Sequence, residues 1–104
     1  MDSQFKRGFL DACVLAILAA QDSYGYQIVR DAPPSLELSE STLYPVLRRL
    51  EKQGALTEYR SEHNGRLRKY YSITEQGRLQ LREFVAERDA IDRLMDFIQK
   101  GAEQ

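Results

Sequence analysis

Asn64-Gly65 lies between two runs rich in Thr, Tyr and Ile, Ala55–Ser61 and Arg68–Ile73. Asparagine followed by glycine is the strongest short signal for a β-hairpin, because both residues tolerate the positive φ that a two-residue turn demands. The rest of the 104-residue chain has helical periods. Phe5, Phe9, Cys13, Ala16/Ile17 and Ala20 recur at spacings of three and four, which predicts an amphipathic helix over 5–21. Asp22-Ser23 offers an N-cap for a second helix, Tyr24 to Asp31, that Pro33-Pro34 must end. Ser39 caps a third helix with Glu40 in its first turn; it runs to Gln53, where Gly54 takes the left-handed C-terminal position. Thr74 caps a last helix, with Glu75 complementing its dipole, and that pattern persists to about Lys100. The expected fold is mainly α with a small β-hairpin, in the order helix, helix, helix, hairpin, long helix. A chain of this length makes one compact unit, divided here into a head, 1–74, and a C-terminal helix, 75–104.

On a wheel at 100° per residue, Leu43, Val46, Leu47 and Leu50 of the third helix fall together and form its core face. Opposite them fall Ser41, Pro45, Arg48 and Lys52, flanked by Tyr44 on one side and Thr42 and Arg49 on the other. Hydroxyls and free N–H groups near a helix start suit phosphates, and arginine reads guanine bidentately. A solvated helix face accounts equally well for that pattern taken alone. The hairpin adds charge. Between Arg48 and Tyr70, seven basic residues meet three glutamates, leaving a net +4 in a chain whose total is −1. A basic β-ribbon directly after an exposed basic helix is how a helix-turn-helix unit gains a wing, with Arg66, Arg68 and Lys69 supplying the cations. For Arg68 or Lys69 singly, an edge strand protected from aggregation is an equal account.

The run Thr42-Leu43-Tyr44-Pro45-Val46-Leu47-Arg48-Arg49-Leu50-Glu51-Lys52-Gln53-Gly54 resembles the recognition-helix signature of PadR-type transcriptional regulators. Three more segments agree with it in order: Tyr24-Gly25-Tyr26-Gln27-Ile28, Gly65-Arg66-Leu67-Arg68-Lys69-Tyr70-Tyr71 and Ile73-Thr74-Glu75-Gln76-Gly77. The resemblance implies a small member of the family with a single C-terminal dimerisation helix: a winged helix-turn-helix homodimer, usually a repressor. Such a protein binds a pseudo-palindromic operator in double-stranded DNA and in some members is released by small aromatic or cationic compounds. It implies DNA contacts at Tyr24 and Gln27 beside Ser41, Thr42, Tyr44, Pro45, Arg48, Arg49, Arg66, Arg68 and Lys69. It also explains Pro45, which costs its helix a hydrogen bond to Ser41. Positions that line an effector cavity in such relatives correspond to Phe5, Asp11, Ala12, Arg88, Asp92 and Met95, although interface packing is the plainer reading of each. The chain has no Trp, whereas multidrug-responsive relatives place an indole near Arg88.

Leu81, Phe84, Arg88, Ile91, Met95 and Ile98 step by three and four, giving a heptad seam with Leu94 and Phe97 on its flank, and Phe5 and Phe9 of the first helix are expected to join that dimer interface. So large an apolar stripe calls for a partner, a second copy of the chain. The alternative is a helix folded back on its own head, with Phe5 and Phe9 covering part of it; Arg88, Asp89 and Asp92 suit interhelical ion pairs. No enzyme is expected: Cys13 lies in an apolar helix, His63 at a hairpin tip, and no Cys/His/Asp spacing suits a metal, nor any glycine run a phosphate or cofactor. The longest apolar run, Ala12 to Ala20, is short of the ~18 residues that span a bilayer, so no membrane partner is expected. A single cysteine suits a reducing cytoplasm. The alternative function is a winged-helix module that binds an acidic protein surface through its tyrosines and arginines.

Overall fold

The computed structural model describes residues 3–104, with side chains from Arg7 onward; Phe5 therefore lies outside the described side chains. The elements are α1 (Ser3–Ala20), β1 (Ser23–Tyr24), α2 (Gly25–Asp31), α3 (Glu40–Lys52), β2 (Leu56–His63), β3 (Arg66–Ile73), α4 (Glu75–Ala86) and α5 (Arg88–Ala102). A 3-10 turn, Pro34–Leu36, joins α2 to α3 and buries Leu36.

The hairpin forms about its expected turn. Asn64 and Gly65 have φ of 51° and 77°, the two positive values of a type I′ turn, and β2 pairs antiparallel with β3 from His63↔Arg66 down to Leu56↔Ile73. It is one part of a three-stranded sheet, ordered β1-β3-β2. Ser23 and Tyr24 pair with Tyr71 and Tyr70, so the Asp22-Ser23 cap expected for α2 does not form. Ser23 is buried in the sheet, and α2 starts behind Tyr24 with no side-chain cap. Two residues in a loop join a sheet because β3 offers them an open edge, which no local pattern signals.

The head's core is one cluster. Val14, Leu15, Leu18, Ile28, Leu43, Leu47, Leu50 and Leu56 are fully buried, each leucine contributing about 1.5–3 kcal/mol by leaving water. All four core residues read from α3 belong to it. On α1 the expected stripe is not the core face. Val14, Leu15 and Leu18 point inward, whereas Phe9, Ala16 and Ala20 are exposed and Cys13 and Ile17 half-buried. Residues 12–20 are apolar all round, so periodicity cannot choose a face; the position of the sheet and α3 does.

The C-terminal segment also departs from expectation. Instead of one helix there are two, broken at Glu87, whose ψ of −8° lies outside the α-helical well. No proline or glycine stands there. Leu81 packs on the head's own core, and Phe84 meets Phe9 edge-to-face at 5.2 Å, so α4 belongs with the head. Beyond Glu87, α5 buries no residue. The molecule measures 62 × 26 × 21 Å and has a radius of gyration of 16.2 Å, against about 13 Å for a compact chain of this size.

At the base of the head, a Cβ on Gly77 would stand 2.1 Å from the Ala55 carbonyl oxygen and 2.8 Å from Ile73 Cγ1. Backbone against backbone cannot give way as a flexible side chain can. Gly77→Ala is therefore expected to cost about 3 kcal/mol, measured as a lowered urea midpoint with an unchanged slope; a wild-type midpoint would show that α4 does not sit against Ala55.

Candidate nucleic-acid interface

The third helix presents its outer face as a continuous strip, because its inner face is fully committed to the core. Ser41, Thr42, Tyr44, Pro45, Arg48 and Lys52 are all exposed. The hydroxyls at its start are spent locally. Ser39 Oγ accepts from the Thr42 amide at 3.3 Å, and Thr42 Oγ1 accepts from the Ser39 amide at 2.9 Å, a capping box closed by threonine in place of the usual glutamate. Ser41 Oγ lies 3.0 Å from Ser39 Oγ. Pro45 has no N–H, so the Ser41 carbonyl lacks its helical donor.

Tyr44 lies over the first turn of α2. A Cβ on Gly25 would come 3.0 Å from its hydroxyl oxygen, so the bare glycine is what lets the ring settle there. A groove of about 470 Å³ follows, lined by Tyr24, Gly25 and Tyr26 of the β1–α2 corner, Glu40 and Tyr44 of α3, and Leu67, Arg68 and Lys69 of β3. It thus runs from the start of α3 to the wing. Gln27 stands apart from it, half-buried, donating to Asp31 at 2.9 Å.

The basic side chains differ in how they are held. Arg48 and Arg66 make no hydrogen bond or ion pair among the described residues and reach into solvent. Arg68 stacks its guanidinium over Tyr24, 4.1 Å from the ring centroid. Lys69 donates to Glu58 at 2.9 Å; that bond holds the ammonium above its usual range and the Glu58 carboxyl below its own. Arg49 turns away from the groove altogether and bonds Asp11 of α1.

Sequence reasoning missed an aromatic ladder on the outer face of the sheet. Tyr59 stacks on Tyr70 with ring centroids 5.6 Å apart, and Tyr70 meets Tyr24 edge-on at 5.5 Å. The Tyr59 hydroxyl donates to Asp22 at 2.7 Å. The signal was present, since counting outward from a two-residue turn at Asn64-Gly65 sets Tyr59 opposite Tyr70. Gly25, Tyr26, Glu40 and Leu67 also line the groove without having been singled out as contacts.

Of the residues assigned to an effector cavity, four line two clefts on either side of Phe84, Met95 lines neither, and Phe5 lies outside the described side chains. Asp11 and Ala12 line one between α1 and α4, about 240 Å³. Arg88 and Asp92 line another with Phe9, Val85 and Ile91, about 310 Å³, and are themselves paired along α5 at 3.6 Å.

The sequence model described as the transcriptional regulator PadR-like family matches residues 14–83, from α1 into α4. The chain belongs to that family. It is 35% identical to an uncharacterized protein of Lysinibacillus sphaericus, over 97% of each chain. A PadR family transcription regulator from Clostridium difficile superposes with a TM-score of 0.78 at 31% identity, over 88% of this chain and 98% of that one. Bacillus subtilis PadR, solved in complex with operator DNA, has the same fold: its TM-score is 0.66 at 23% identity, over 74% of this chain and 46% of that one. The PadR-like family consists of transcriptional regulators, and the fold is their winged-helix DNA-binding fold. Among the described residues, no helix is long and apolar enough to cross a membrane.

In this PadR-like regulator the Asp22 carboxylate holds the Tyr59 hydroxyl above the ordinary tyrosine range, first by a hydrogen bond only the neutral phenol can donate and then through burial and its own charge. Asp22→Ala should let Tyr59 ionise at lower pH, followed through its ring resonances in an NMR titration. An unmoved titration would place the hydroxyl elsewhere.

Proposed function

We propose that this PadR-like protein is a repressor that binds a pseudo-palindromic operator as a homodimer. One observation carries the DNA reading: Tyr44, on the exposed strip of α3, and Arg68 and Lys69 of the wing line a single groove. A side chain on α3 and a cation on β3 therefore reach the same ligand from two sides, as duplex DNA requires when a helix enters the major groove and a wing meets the backbone or minor groove beside it. Arg48 and Tyr44 are the reading residues. Arg66 meets phosphate or minor groove. Arg68 and Lys69, held by Tyr24 and Glu58, shape the groove wall and add to its positive potential. The operator complex of Bacillus subtilis PadR, on the same fold, supports this reading.

The homodimer rests on α5. Phe97 is 79% exposed and Leu94 62%, with Ile91, Met95 and Ile98 about half exposed. An apolar stripe of that size on a projecting helix is costly unless a like helix covers it, and the helical spacing of Ile91, Leu94, Met95 and Ile98 suits one. Arg88, bonded to Asp92 on its own helix, is the polar member of the seam; Phe9 and Phe84 continue it onto the head, while Leu81 serves the core. The two clefts beside Phe84 lie where α5 leaves the head, and a small aromatic effector is expected to enter there.

The test is to select bound fragments from a random duplex library, where a two-fold motif is expected. Arg48→Ala should then cost about 1–3 kcal/mol in discrimination between operator and scrambled duplex if it meets a guanine; Arg66→Ala should weaken both duplexes alike. Equal losses on both duplexes for Arg48→Ala would make it a phosphate contact. For the seam, Leu94→Asp with Ile98→Asp should convert a dimer to a monomer in sedimentation and lower operator affinity by on the order of 10². A wild-type protein that sediments as a monomer at micromolar concentrations would remove the homodimer.

A further inference from the structure

Arg48 and Arg49 are neighbours, and α3 sends them in different directions. Arg48 is exposed, on the outer strip of α3 that also carries Tyr44. Arg49 lies toward α1, where Nη2 bonds Asp11 Oδ1 and Nε donates to Oδ2 at 3.4 Å. The planar fork thus meets the carboxylate with two N–H groups, and the side chains are only 22% and 16% exposed. Among the described residues it is the only ion pair that joins two helices.

Apart from this pair, α1 and α3 meet in the apolar core cluster, whose attraction is non-directional. A two-point bond between a guanidinium and a carboxylate fixes both separation and angle. One end is anchored at the C-terminal half of α3, one residue from Arg48. The other is anchored on α1, which also carries Phe9 against Phe84 of α4. The pair therefore ties the recognition helix to the elements from which α5 projects.

We infer that Asp11 is a positioning residue for DNA recognition, acting through Arg49 to set the angle at which α3 presents Arg48 and Tyr44, and that Arg49 itself does not touch DNA. This rests on the DNA reading of α3. It reassigns Arg49, which sequence pattern places among the DNA contacts, to a brace within the head.

The two roles make opposite demands. A phosphate contact releases counterions, so its loss flattens the dependence of log affinity on log salt by about 0.9. A carboxylate that merely competed for that contact would, once removed, leave binding tighter. A brace behaves otherwise: removing either partner weakens binding by the same factor, the salt slope does not move, and removing both costs no more than removing one.

The experiment titrates the full-length protein and its variants against the duplex that the wild type selects from a random library, across a range of salt, with circular dichroism confirming the fold. Asp11→Asn, which keeps the side-chain volume, and Arg49→Ala are each expected to weaken binding about tenfold with the wild-type salt slope. The double variant should match either single one. The exchanged pair Asp11→Arg with Arg49→Asp should recover most of the loss, which a lost phosphate contact at position 49 could not do, because an aspartate there would repel the phosphate. Tighter binding by Asp11→Asn, a flatter slope for Arg49→Ala, or wild-type affinity in both overturns the brace. A wild-type protein that retains no duplex removes the DNA reading itself, and is told apart from failure of the brace, which shows only in the variants.

Discussion

Residues 53–55 are where the working parts of this protein are joined, and their backbone carries almost every bond that does so. The Ala55 amide donates back to Leu50 at 2.8 Å and ends α3; the Ala55 carbonyl accepts from Thr74 at 3.0 Å and sets the foot of β3. The Gly54 carbonyl accepts from Thr74 Oγ1 at 2.6 Å and the Gln53 carbonyl from Gln76 Nε2 at 2.7 Å. Thr74 Oγ1 in turn caps α4 through the Gly77 amide. Helix, wing and the start of the C-terminal segment thus meet within three residues. Gly54, at φ 79°, turns the chain between them, and Gly77 lets α4 approach the Ala55 carbonyl where any side chain would collide. Because these bonds hold the backbone of residues 53–55 between the end of α3 and the foot of β3, the exposed side chains of the α3 strip are left for recognition.

That division explains how a chain of net charge −1 can face a polyanion. The cations are not spread evenly, and those near the groove are not equivalent. Among the described residues Arg48 and Arg66 have no bonded partner, while Arg68 and Lys69 are stacked or paired within the sheet. Holding a cation in place costs it some mobility in the free protein and so reduces what binding must later order. Glu83 and Glu87, at the α1–α4 cleft, place negative charge on another part of the surface.

The parts of the site legible in the sequence are those governed by neighbours in the chain. Ser39 and Thr74 cap their helices because a hydroxyl reaches an amide three residues on, whatever lies elsewhere. The face of α3 was legible because its apolar residues are interrupted by polar ones. That of α1 was not, because it is apolar on all sides. Arg48 lay opposite the core face and Arg49 on its flank, yet both counted as DNA contacts; a carboxylate from α1, 38 positions away, separates them. The Tyr59–Tyr70 stack stood between these cases, since the turn fixed its register but nothing local said that an aromatic face would stay open.

Sequence by itself determined the turn at Asn64-Gly65, the Ser39 and Thr74 caps, the outward strip of α3 and the family to which the chain belongs, because each depends on backbone φ preferences, on contacts one helical turn apart or on the order of residues itself. Tertiary structure decided that Ser23 and Tyr24 become a strand, that Val14, Leu15 and Leu18 rather than Phe9 and Ala16 face the core, that Arg49 turns to Asp11, and that the last helix breaks at Glu87. Those outcomes depend on where a sheet edge, an apolar cavity or a countercharge lies in space, and such positions exist only once distant segments have packed.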